Sequence, residues 1–85
     1  MRVKILDAWA HGLPVISTRI GAEGLECEDN HDLLIADEPQ AMIAAINELM
    51  IDQGKAEFIA RNGRKRVLSS YNWRKRYQEW FSIYA

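Results

Sequence analysis

Lys4-Ile5-Leu6-Asp7-Ala8-Trp9-Ala10-His11-Gly12-Leu13-Pro14-Val15-Ile16-Ser17-Thr18 reads as a helix stopped by glycine and followed at once by a strand. Ile5, Leu6, Trp9 and Ala10 fall at helical spacing, Gly12 can take the left-handed conformation that ends a helix, and Pro14 cannot extend it. Val15 and Ile16 then favour extended backbone. The spacing predicts a helix over 1–11, with no capping residue before Arg2, so the loop that would cap it is expected to lie outside these residues. The strand is expected over 13–18, apolar enough to be buried on both faces of a parallel sheet.

Working outward, residues 19–32 carry Gly21, Gly24 and several acidic residues and read as a crossover loop with one helical turn near 22–25. Residues 33–36 are a second short apolar strand, which a right-handed crossover places parallel beside the first. Asp37 and Pro39 signal a helix start, and Ala41, Met42, Ala45, Ile46, Leu49 and Met50 repeat on one face of a helix over 39–52, ended near Gly54. Residues 55–70 form the next helix, with Phe58, Ile59, Val67 and Leu68 inward and Arg61, Arg64, Lys65 and Arg66 outward. Gly63 weakens it by about 1 kcal/mol relative to alanine, so a bend is expected there. Asn72 caps a last helix over 73–84, whose Trp73, Tyr77, Trp80, Phe81 and Tyr84 make an aromatic face. The class is α/β, with two short parallel strands and about four helices in one domain.

Eighty-five residues hold at most one small domain, and 48% hydrophobic residues with three Trp and three Tyr argue for a folded chain. Eleven basic against twelve acidic residues leave a net charge of −1, too little to recruit nucleic acid or an anionic membrane through a global field. The single cysteine, Cys27, cannot form an internal disulfide, which fits a reducing compartment; with no base assignable to it, it reads as a loop or core residue. No apolar run reaches the roughly 20 residues that span a bilayer and the N-terminus has no secretion pattern, so a cytoplasmic location, with room for contact at a membrane surface, is expected.

The 4–24 stretch, with its Asp-Ala-Trp-Ala-His-Gly-Leu-Pro-Val core and Ile20-Gly21-Ala22-Glu23-Gly24, resembles the donor-binding domain of retaining glycosyltransferases of the group 1 (family 4) type. There a Glu-Ala-Met-Ala-x-Gly-x-Pro-Val stretch follows the sugar-nucleotide loop. Residues 30–39 are similar to that family's Gly-x-x-Gly-Leu-Leu-Val strand and acidic exit, and Tyr71-Asn72-Trp73 to its aromatic-Ser-Trp start of the last helix. The resemblance covers essentially the whole chain and is most specific in the first segment. It implies a partial Rossmann-like half-domain from the C-terminal part of a two-domain GT-B enzyme, one that moves a sugar from a nucleotide diphosphate sugar with retention and needs neither metal nor cofactor. The opening strands of the donor domain and the acceptor domain are then expected outside these 85 residues, and the chain alone is expected to be inactive.

By the same resemblance Asp7 stands where the second of two glutamates hydrogen-bonds the ribose hydroxyls, the first falling before Met1. A carboxylate suits that role because it accepts two hydroxyl protons; aspartate is one methylene shorter. Arg2 and Lys4, in the first helical turn, can approach a diphosphate, with Val3 contributing its backbone amide. Thr18, with Ser17, ends a strand at the edge where parallel α/β sheets bind ligands. Each has a plainer alternative: Asp7, Arg2 and Lys4 as solvated residues, Ser17 and Thr18 as partners of loop amides. His11 suits a helix C-terminus, and neither His11 nor His31 has ligand-spaced companions for a metal. The run Arg61-Asn62-Gly63-Arg64-Lys65-Arg66 reads as a solvated face rather than a nucleic-acid site, since no stacking aromatics accompany it. The rival readings are a basic-helix nucleic-acid binder and a self-associating module, a homo-oligomer joined through the strand edge at 15–17 or the aromatic face.

Overall fold

The computed structural model describes residues 2–70; the last expected helix, 73–84, and its aromatic face lie outside the described residues. Helix α1 (Arg2–Ala10) leads to strand β1 (Ile16–Ser17), a long crossover reaches β2 (Leu34–Ile35), and α2 (Pro39–Ile51) and α3 (Gln53–Ser70) follow. The strands pair in parallel, Ile16 opposite Leu34 and Ser17 opposite Ile35, as the sequence predicts.

The end of α1 shows why the quoted stretch folds as it does. Gly12, at φ 71°, donates its N–H to the Trp9 carbonyl (3.0 Å) and Leu13 donates to Ala8 (3.0 Å). This is a Schellman stop, and Pro14 directs the chain away. The same turn shortens the strand. Leu13 is exposed and Pro14 has no N–H to pair, while at the other end Thr18 already turns the chain: its hydroxyl accepts from Gly21 N–H (2.9 Å) and its carbonyl from Ala22 N–H (3.1 Å). Only two residues remain to pair where 13–18 was expected. Likewise 33–36 contracts to Leu34–Ile35, and 22–25 closes as successive turns, Ala22 N–H to Thr18 and Leu25 N–H to Ala22 carbonyls, without becoming a helix.

Alternation on the two strands makes three layers. Val15, Leu33 and Ile35 pack with Ile5, Leu6 and Trp9 of α1, while Ile16, Leu34 and Ala36 pack with Met42, Ala45 and Leu49 of α2. Helix α3 closes both layers, giving Ile59 to the α2 side and Val67 to the α1 side.

Three local expectations change. Asp52, not Gly54, separates α2 from α3: its N–H donates to Glu48 carbonyl (2.9 Å), ending α2, while its carboxylate accepts from Lys55 N–H (3.0 Å), capping α3. A one-residue corner results, tied further by Lys55 to Glu48 and to Asn30 Oδ1. Asp52→Ala is expected to lower stability by about 1 kcal/mol, the usual worth of a cap; equilibrium urea unfolding checks it. Next, α3 runs through Gly63 without interruption, because the glycine serves packing, as described below. Finally, the α2 face is only partly covered. Ala45 is buried and Met42 and Leu49 half-buried, yet Ile46 and Met50, expected inward, are exposed; so are Phe58 and Leu68 of α3.

Candidate functional site

Ile5, Leu6 and Trp9 occupy the buried face of α1, so Val3, Lys4 and Asp7, offset from them by the helical period, share its outer face. Val3 and Lys4 are exposed in the first turn, whose N–H groups have no intrahelical partner, and Arg2 opens the helix. The Asp7 side chain is 50% exposed. One turn later His11 donates from Nδ1 to the Asp7 carbonyl (2.8 Å), which fixes the proton on that nitrogen, and the ring stands 3.6 Å from the Asp7 carboxylate. His11 thereby closes the helix C-terminus as expected, and Asp7 keeps its carboxylate directed outward beside it.

Thr18 belongs to another element. Its hydroxyl accepts the Gly21 amide, as the plainer alternative has it, and the Ser17 hydroxyl donates to the Thr18 carbonyl (2.9 Å). The neighbouring Arg19 donates its N–H to Asp37 Oδ1 (2.7 Å), with its guanidinium 3.6 Å from the other carboxylate oxygen. Asp37, read from sequence as a helix-start signal, therefore joins the loops leaving both strands at their C-terminal edge. Glu38 is the residue at the N-cap of α2, and it makes no side-chain capping bond. The structure thus gathers Val3, Lys4 and Asp7 on one helix face and puts Thr18 at the sheet edge; among the described residues no hydrogen bond or ion pair joins the two groups.

The most tightly organised polar cluster centres on Asp32, which the sequence placed merely at the end of a loop. Its side chain is fully buried. One carboxylate oxygen accepts Glu28 N–H (2.9 Å), the other accepts Arg66 Nε (2.8 Å) and Nη2 (2.6 Å), and its carbonyl accepts Trp9 Nε1 (2.9 Å). Partial burial works against the charge on Arg66, but the hydrogen bond and charge of Asp32, with Glu28 and Glu26, outweigh it and raise its pKa. The Trp9 indole packs directly against Gly63. A methyl there would overlap Trp9 Cδ1 and come within 2.6 Å of Nε1 and 2.8 Å of Cγ. Loop, α1 and α3 meet at this point, and the periodic sequence signal could not show it because the partners are 23 and 34 residues apart.

Arg66 is consequently not on an outward basic face, and Arg64 spends its guanidinium on the Ala10 carbonyl (3.1 Å) at the end of α1. Two of the four basic residues of that run serve the fold. Asn62 likewise donates to the His31 carbonyl (3.0 Å). Cys27 is half-buried, its thiol pKa pushed up by burial and then by the nearby Asp32 charge, which suits a packing role. Among the described residues no group of three or more His, Cys, Asp or Glu could hold a metal, and no helix is long and apolar enough to cross a membrane.

A two-stranded parallel sheet with helices packed on both faces is a partial Rossmann-like half-domain. The chain belongs to the glycosyl transferase-like family, which matches residues 1–82. No curated protein and no solved structure matches the chain.

Proposed function

We propose that these residues form the closing part of the donor-binding half of a retaining, GT-B glycosyltransferase, holding a nucleotide diphosphate sugar. The observation that carries the reading is Asp7: a half-exposed carboxylate on the outer face of α1, on the same face as the open first turn. There a carboxylate accepts two ribose hydroxyls, while free N–H groups at Arg2 and Val3 and the ammonium of Lys4 attract the diphosphate. In parallel α/β layers the helices run opposite to the strands, which brings the first turn of α1 to the edge where Thr18 ends β1. The acceptor is held by a separate domain, and without it the two substrates are not positioned for reaction.

The test is titration of uridine and guanosine diphosphate sugars into the chain, followed by amide chemical shifts. Weak binding with shifts confined to residues 2–7 and lost in Asp7→Ala is expected, because this is only part of a donor site. Submicromolar affinity would contradict the partial-site reading, and shifts elsewhere would remove Asp7 from it. In a complete enzyme carrying this segment, Asp7→Ala should reduce turnover at least about tenfold, the cost of one lost charged hydrogen bond; unchanged turnover would overturn the assignment.

A further inference from the structure

His11 stands one helical turn after Asp7, just past the end of α1, and that spacing sets the two side chains on one face. Its Nδ1–H donates to the Asp7 carbonyl (2.8 Å) and lies 3.6 Å from Asp7 Oδ1, so the protonated pole of the ring faces both oxygens. Nε2, the unprotonated nitrogen of the neutral ring, is left on the side away from Asp7. Among the described residues no other side chain bonds either group, and 61% of the His11 side chain and 50% of the Asp7 side chain are exposed.

We infer that His11 is a positioning residue for the ribose contact of Asp7: the neutral ring steadies the carboxylate for the ligand, and the protonated ring takes the carboxylate for itself. The inference rests on the proposed donor site. At 3.6 Å the neutral N–H is too far from Oδ1 to be a hydrogen bond, so it orients the carboxylate without using the lone pairs that two hydroxyls need. A second proton, taken at Nε2, turns the ring into a cation next to an anion. Oδ1 then closes into a charge-assisted bond, and ribose hydroxyls must compete with it.

The diphosphate gains little from the same charge. Helix α1 is nine residues long, and at a rise of about 1.5 Å per residue its first turn lies roughly 10–13 Å from His11, beyond the roughly 8 Å over which physiological salt screens exposed charges. The loss at Asp7 therefore decides the sign, and binding weakens as the pH falls. The charged groups around the ring are Asp7 and Lys4 on α1 and, from α3, Arg64, whose Nη1 donates to the Ala10 carbonyl (3.1 Å), with Arg61 and Glu57, which line the hollow beside Gly12. His11→Asn keeps all of these and removes only the titrating ring.

Uridine and guanosine diphosphate sugars are suitable probes, because the sugar blocks the terminal phosphate whose ionisation at about pH 6 would confuse the result. Titration at about pH 7.5 and about pH 5.5 brackets the range in which histidine side chains change charge. Followed by the amide shifts of residues 2–7, the dissociation constant should be about threefold larger at the lower pH, the size of effect an exposed ion pair supplies. His11→Asn, whose side-chain amide donates to the Asp7 carbonyl in place of Nδ1, should match the parent at the higher pH and lose most of the pH dependence. His11→Ala, with neither donor nor charge, should bind about threefold more weakly than the parent at the higher pH and show the same flat profile. A pH ratio in His11→Asn equal to that of the parent would overturn the inference and leave Asp7 in the site, as would tighter binding at the lower pH. If no binding depends on Asp7 at either pH, the proposed donor site and this inference both fall.

Discussion

Gly63→Ala is expected to destabilise the chain by about 2–3 kcal/mol, the cost of forcing a methyl into a packed core. Helix propensity alone predicts the opposite sign, a gain of about 1 kcal/mol in the interior of α3. Packing wins because the added Cβ would collide with three atoms of the Trp9 indole. Trp9 cannot swing aside: it is fully buried, and its Nε1 is held by the Asp32 carbonyl. Gly54→Ala is the control, since a Cβ there meets only Asp52 Oδ1, at an ordinary 3.4 Å. It should be neutral or stabilising by up to about 1 kcal/mol. Urea denaturation followed by circular dichroism gives both values, and a Gly63→Ala protein as stable as the parent would show that α1 and α3 do not meet at this point.

Asp32→Ala should cost more, about 3–5 kcal/mol, because removing one member of a buried pair strands the other. Arg66 would lose its two bonds to the carboxylate, and the Glu28 amide its acceptor. For a domain of this size that loss approaches the whole margin of stability. The expected result is a chain largely unfolded at room temperature, seen as collapse of the far-ultraviolet signal. Replacing both partners, Asp32→Leu with Arg66→Met, should recover part of the loss, since no charge is then left unpaired. If the double variant is worse than the sum of the single ones, the pair is not the unit described.

The residues proposed to hold the donor respond differently. Lys4 is exposed and Asp7 half-exposed, and they hold little of the fold, so their substitution tests binding without threatening stability, whereas Thr18 also accepts the Gly21 amide. Asp32, Gly63 and Arg66 are the reverse, and unfolding, rather than a lost ligand, is what their variants report.

Much of this was legible in the residues. Helical spacing of Ile5, Leu6 and Trp9, the Gly12 stop, the apolar runs around Ile16 and Leu34, and the Pro39 start are local signals. Local signals are written in consecutive residues, so the element order, the parallel pair and the outward place of Asp7 followed from them. What they could not carry was any contact between distant residues. The fate of Gly63 depends on Trp9, that of Arg66 on Asp32, and the burial of Asp32 on both. A glycine that weakens a helix and a glycine that admits an indole are the same letter; only the approach of α1 to α3 separates them. The shortness of β1 and the sealing of β2 by Asp29 were decided in the same way, because hydrogen-bond partners are settled when loops close in space. Sequence determined which segments are helix or strand and which face of each is apolar; tertiary structure decided which polar groups the fold consumes, because their partners come from distant segments brought together only on folding.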